Sequence, residues 1–218
     1  MKLKKVLAAT LAAAMVMSSA LTVCATGSDV PDPGTSSSES SSSDSSSSEV
    51  TYAQSMSKTA DAPVSVAGAS IKTTVAGVYA AEKVQGVAVT TPLASVQASL
   101  GLTGSQTPAI IIYDTDVTKS FRAMECVNAA AKAFGGTVVA SLNIDLGARE
   151  NGKWVTLSSG SVGLVAGLPK DADPSKEYCA ICVQPGGIVT ILEDQDTNPA
   201  TVTFEVQAGL GTYAIVAK

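Results

Sequence analysis

Two carboxylates leave an apolar run two positions apart. Ile110-Ile111-Ile112-Tyr113 leads into Asp114-Thr115-Asp116-Val117-Thr118. Paired acids at a strand end are the residue types from which nucleophilic, acid–base and Mg²⁺-assisted chemistry is built. They also have a structural use. Asp114 begins a turn and Asp116 caps the next helix, where a carboxylate satisfies orphan N–H groups and meets the positive helix end. The structural use is the favoured reading.

A second acidic group has metal-like spacing. Asp194, Asp196, Asn198 and Glu205 fall at positions 1, 3, 5 and 12 of an EF-hand-like loop. Position 6 needs a glycine at positive φ, and Pro199 stands there. A hairpin turn is the expectation, with Asp194, Asp196 and Asn198 kept as weak Ca²⁺ candidates and no metal or other cofactor called for. Cys179-Ala180-Ile181-Cys182 lacks two further zinc ligands, since only Cys126 lies downstream of Cys24 besides this pair. On a strand the two sulfurs point to opposite faces and cannot bridge, so both are read as core residues. A pairing of Cys126 with either stays open. Sugar binding would use planar aromatics. Trp154, Tyr79 and Tyr113 are the candidates, Trp154 foremost, while Tyr178 and Tyr213 are assigned to the core.

The chain has no histidine. That removes Ser-His-Asp and Cys-His nucleophile pairs, histidine proton shuttles and histidine metal ligands.

The elements that must position these residues follow from punctuation and period. Val84–Thr90 alternates like a strand, and Thr91-Pro92 opens a short helix through Leu100. Ala109–Tyr113 reads as a buried strand. A helix starting at Asp116 or Thr118 runs to Phe134 and stops at Gly135-Gly136, with Val117, Phe121, Met124, Val127, Ala131 and Phe134 on its apolar face. Thr137–Ile144 returns as a strand. Six short strands follow: Trp154–Leu157, Val162–Ala166, Tyr178–Val183, Ile188–Leu192, Thr201–Val206 and Thr212–Val216. The fold class is α+β: a small α/β layer, strand-helix-strand-helix-strand, then an antiparallel β-sandwich-like module. Residues 51–145 form the first region and 146–218 the second, with one shared core as the alternative to two.

The front of the chain has a different character. Met1–Lys5 is basic, Val6–Met17 is apolar, and Val23-Cys24-Ala25 fits signal-peptidase cleavage after Ala25. Leu21-Thr22-Val23-Cys24 also approximates a lipobox, which would lipidate Cys24. Ordinary secretion is favoured, and any membrane contact comes through the signal or that anchor. Residues 26–50 are a Ser-rich linker with nothing apolar to bury, expected to be disordered. Net charge is −5, and without Lys2, Lys4 and Lys5 it is near −8, a surface that repels nucleic acid.

Two resemblances bear on these residues. Asp114-x-Asp116-x-Thr118 resembles the first motif of haloacid-dehalogenase-type phosphotransferases. The resemblance implies Asp114 as nucleophile, Asp116 as acid/base, Mg²⁺ on the phosphate and Ser141 as a phosphate-binding hydroxyl. The lysine and further acidic pair of that family have no counterpart on later parallel strands. Separately, residues from about Val138 to Lys218 resemble a C-terminal β-module of secreted and cell-surface proteins of Gram-positive gut bacteria. The matching residues are Ile144-Asp145-Leu146, Gly167-Leu168-Pro169, Tyr178–Val183, Val189–Leu192, Val202-Thr203-Phe204 and Gly211–Val216. Cys179 and Cys182 depart from the usual polar middle strand. That resemblance implies a structural or interaction module with no catalytic residues. Together these readings predict an exported, tethered, non-enzymatic protein of adhesive or structural role, binding a cell-wall or host-matrix ligand. A Mg²⁺-dependent phosphohydrolase using Asp114 and Asp116 is the alternative.

Overall fold

Glycines, prolines and Asx turns divide residues 57–218, the part described by this computed structural model, into thirteen strands and two helices. The signal, its Ala25 and Cys24, and the serine linker lie outside the described residues. Short strands come first: β1 (Ser57–Lys58), β2 (Pro63–Val66), β3 (Ala69–Lys72), β4 (Ala76–Ala80) and β5 (Val87–Val89). Helix α1 (Leu93–Ser99), β6 (Gln106–Asp114), helix α2 (Phe121–Phe134) and β7 (Thr137–Glu150) follow. Then come β8 (Lys153–Thr156), β9 (Ser161–Gly167), β10 (Tyr178–Gln184), β11 (Ile188–Glu193), β12 (Thr201–Gln207) and β13 (Gly209–Ala217).

The architecture is α+β and rich in strand. One sheet has the order β1-β4-β6-β7-β13-β10-β11, with β8 also on β7. Only β4 and β6 run parallel in it. A second sheet has the order β12-β9-β5, and β2 and β3 form a hairpin. The expected strand-helix layer over residues 84–144 is divided between sheets. β5 bonds to β9, while β6 and β7 pair antiparallel as neighbours despite the helix between them. Residues 57–80, given no strands by the sequence reading, supply four.

Alternation along each strand sorts side chains between two faces of the large sheet. Ile110, Ile112, Leu142, Ile144, Leu146, Tyr213 and Ile215 point one way and meet Val87, Val89, Leu164, Phe204 and Val206 of the smaller sheet in one core cluster. That cluster draws on residues from both sides of Asp145, and β7 runs through the boundary without a break. On the opposite face, Met124, Cys126, Val127, Ala130 and Ala131 of α2 pack on Cys179, Ile181, Val183, Val189, Ala214 and Val216.

Helix α2 begins later than its apolar period suggests. Asp116 Oδ1 accepts the backbone N–H of Thr118 at 2.9 Å, and the resulting turn carries the chain to Phe121 before the helix starts. Val117 and Phe121, expected to be buried, are 53% and 57% exposed. Gly135 then ends the helix at φ 79°, with the Gly136 N–H reaching Ala131 O at 2.9 Å. For α1, Pro92 takes the capping position, not the first helical one. Thr91 Oγ1 instead accepts the Gly163 N–H at 2.7 Å.

Candidate ligand-binding face

The two acids of the Asp-x-Asp stretch serve different loops. Asp114 accepts the backbone N–H groups of Glu82 on Oδ2 at 2.9 Å and Lys83 on Oδ1 at 3.1 Å. Asp116 accepts from the Thr118 hydroxyl at 2.6 Å as well as from the Thr118 and Lys119 N–H groups. The Thr118 hydroxyl is the chief cause that holds its carboxyl below the usual range. Ser141 is buried on β7, and its carbonyl accepts the Thr115 N–H. Each carboxylate thus ties down local backbone.

The acidic loop after β11 has the same economy. Asp194 accepts the N–H groups of Asp196 and Thr203. Asp196 accepts from the Asn198 N–H and from the hydroxyls of Thr201 and Thr203. Asn198 Oδ1 accepts the Ala200 N–H. Among the described residues, no group of three or more Cys, Asp or Glu side chains could hold a metal ion.

Cys179 faces α2, and Cys182 faces the smaller sheet. Burial pushes both thiols up to about 11. Cys126 lines a groove with Val183 and Gln184, whereas Cys179 sits with Phe134 toward the other end of the helix. All three are free. Tyr79, one of the aromatic candidates, is buried, with its hydroxyl donating to Val75 O at 2.7 Å. Tyr213 is in the core, stacked on Phe204 at 5.8 Å between ring centroids.

Helix α2 packs on β10, β11, β13 and the start of β7, and not on the β4-β6 part of that sheet face. Strand register places the side chains there in rows. Tyr113, Asn143 and Thr212 share one row; Ile111, Asp145 and Leu210 share the next. Beyond Leu146, β8 takes the place of β13 beside β7, so Arg149 pairs with Trp154. A Cβ added to Gly147 would stand 2.6 Å from Trp154 Cζ2, which puts the indole on this same face. Tyr113 is 41% exposed and Leu210 48%.

The polar groups between these apolar ones are held in place. Thr212 donates its hydroxyl to Asn143 Oδ1 at 2.8 Å, and Asn143 Nδ2 donates to Ser120 Oγ at 3.2 Å. Asn143 and Thr212 are buried despite their polarity. Asp145 differs from them. Its Oδ1 is buried without a hydrogen-bond partner, and burial pushes its carboxyl above the ordinary 3.8. At the α2 end the face deepens into a groove of about 710 Å³ between the first turn of the helix and the Pro185–Gly187 turn. Its volume is in the range of small-ligand sites. Lys119 and Arg122 on the rim are paired with Asp116 and Glu125, at 3.9 and 3.5 Å.

No family model, curated protein or solved structure matches the chain. The functional reading therefore stands on this face. Of its members, Tyr113 and Trp154 are among the aromatics that the sequence singles out. Asn143, Asp145, Leu210 and Phe121 are not. The signal for two of them is visible in β7: Leu142, Ile144 and Leu146 alternate with Asn143 and Asp145, so a polar stripe lies on the side that a helix was expected to cover.

Proposed function

We propose that this protein is an exported, tethered, non-enzymatic binding protein with a structural or adhesive role at a bacterial surface. The observation that carries the reading is the open face of the large sheet. Tyr113, Leu210 and Phe121 remain exposed around a fixed polar network, beside the part of that face that is packed under α2. Exposed apolar side chains gathered in one concave area mark interaction sites more often than isolated ones do. The leader and serine spacer of the sequence fit a body held away from a cell. Among the described residues no helix is long and apolar enough to cross a membrane.

The resemblance of residues 138–218 to a surface β-module is part of the reading. In support, its closing Gly211–Val216 motif lies in β13, between β7 and β10, and stacks Tyr213 on Phe204 of the smaller sheet. The phosphohydrolase alternative has no comparable support, because both oxygens of Asp114 accept backbone N–H groups.

Fractionating the producing cells tests location, and adhesion of the full chain to cell walls and matrix proteins tests the role. Surface-exposed or secreted protein that binds one of these supports the reading. Protein retained in the cytoplasm with its leader uncut overturns it.

A further inference from the structure

We propose that the open sheet face from Tyr113 to Trp154 is a platform for a chain of uncharged sugars. The inference deepens the binding reading above and rests on it for biological context, but its physical argument is separate. Three observations combine.

The first is the placement of the aromatics. Tyr113 sits one row before Asp145 on β6, and Trp154 pairs with Arg149, two rows beyond Asp145 on the far side of β7. Side chains on one face of a strand recur every ~6.7 Å, so Asn143 to Gly147 spans ~13 Å. A linear glycan laid diagonally meets one aromatic ring near each end. Ile111 and Leu210, flanking Asp145, offer further apolar surface to the C–H faces of the rings between.

The second is the orphan oxygen. Oδ1 of Asp145 is covered between Ile111 and Leu210 without a donor, which is unfavourable. The half-buried carboxylate is left to take a donor from outside the chain on its other, less covered oxygen. A sugar hydroxyl supplies one. Asn143 adds a complementary group: with Oδ1 filled by Thr212 and one N–H directed to Ser120, its amide is fixed in orientation and carries a second N–H for a ring or hydroxyl oxygen.

The third is charge. The face holds one acid, Asp145, and one base, Arg149, and the groove rim pairs its lysine and arginine with carboxylates. With no net sign, the surface suits a neutral ligand. A cationic peptide is the competing partner for Asp145.

Trp154 is the only tryptophan in the chain, so its emission reports directly on this face. Full-length protein is titrated with cellohexaose, xylohexaose and chitohexaose, with oligolysine as the competing ligand. The expected result is a saturable shift in emission with at least one hexasaccharide, weakened tenfold or more by Tyr113→Ala and by Asp145→Leu. Thermal melts accompany each variant. Asp145→Leu is expected to melt at or above the parent temperature while losing affinity, a split that a purely structural aspartate would not give. Tyr113→Ala, altering an exposed side chain, is expected to keep its fold. No shift with any of the three sugars, undiminished binding by Tyr113→Ala, or a response to oligolysine alone would overturn the proposal. Adhesion to matrix protein without sugar binding sinks this inference and leaves the adhesive reading standing. Sugar binding by a protein found only in the cytoplasm does the reverse.

Discussion

The Trp154 indole rests on the bare backbone of Gly147, at a separation that leaves no room for a methyl group. A Cβ there would also stand 2.7 Å from the Val155 carbonyl oxygen. Gly147→Ala is therefore expected to destabilise the fold by about 1–3 kcal/mol, the usual cost of overpacking. Trp154 emission should change as the ring is displaced. Urea unfolding followed by fluorescence measures both at once. An unchanged midpoint and spectrum would mean that the ring does not lie where the register puts it.

Asp145 gives a pH dependence opposite in sign to that of Asp116. Its folded-state carboxyl titrates above the unfolded value of 3.8 because of burial. The folded protein therefore holds its proton more tightly, and the destabilisation sets in as pH rises through 3.8 toward the raised folded value. Asp116 is lowered, chiefly by the Thr118 hydroxyl, so its contribution is present above its unfolded pKa and lost as pH falls. Asp145→Leu should exceed the parent in stability at pH 7 by about 1 kcal/mol, the low end for an unpaired acceptor because the carboxylate is partly exposed. Near pH 3 the stabilising difference should shrink. Thermal melts across that range check it, and a pH-independent difference would contradict the assignment to ionisation.

Asp114→Ala removes an anchor. The N–H groups of Glu82 and Lys83 lose their carboxylate acceptor, and a loss of about 1–2 kcal/mol is expected for two partly solvated bonds. Parent and variant should both leave p-nitrophenyl phosphate unhydrolysed with Mg²⁺ present. Parental turnover abolished by Asp114→Asn would restore the phosphohydrolase alternative.

Thiol accessibility offers a fourth check. With both thiols near 11 by burial, thiolate is scarce at pH 8. Site-resolved mass spectrometry after a short iodoacetamide pulse should find Cys179 and Cys182 unmodified in native protein. Both should be alkylated in guanidinium. Rapid native labelling of Cys182 would be incompatible with its place beneath the smaller sheet.

The strands legible in the sequence were those with strong local signals. Thr201–Val206 and Thr212–Val216 alternate between turn residues, and each lies inside an observed strand. Residues 57–80 were harder. β1 has two residues and β3 carries only Ile71 as a large apolar residue, so neither has a period of its own. Their pairing is imposed by neighbours. Sheet membership was equally hidden: nothing local in Val87–Val89 says that it bonds to Val165 and not to β6. The same limit applies to the candidate site. Trp154 and Tyr113 can be singled out by type, but Asp145 acquires its meaning only when Leu210, distant in sequence, arrives beside it.

The pairing of β7 with β13 has a consequence for how this polypeptide is made. Residues 137–146 pair along one edge with residues 209–217, so the central sheet cannot close until nearly the whole chain has been synthesised. Such long-range closure slows folding relative to hairpin-built sheets. A chain entering a translocation channel during synthesis would still be an open thread, and its threading would compete with no finished body.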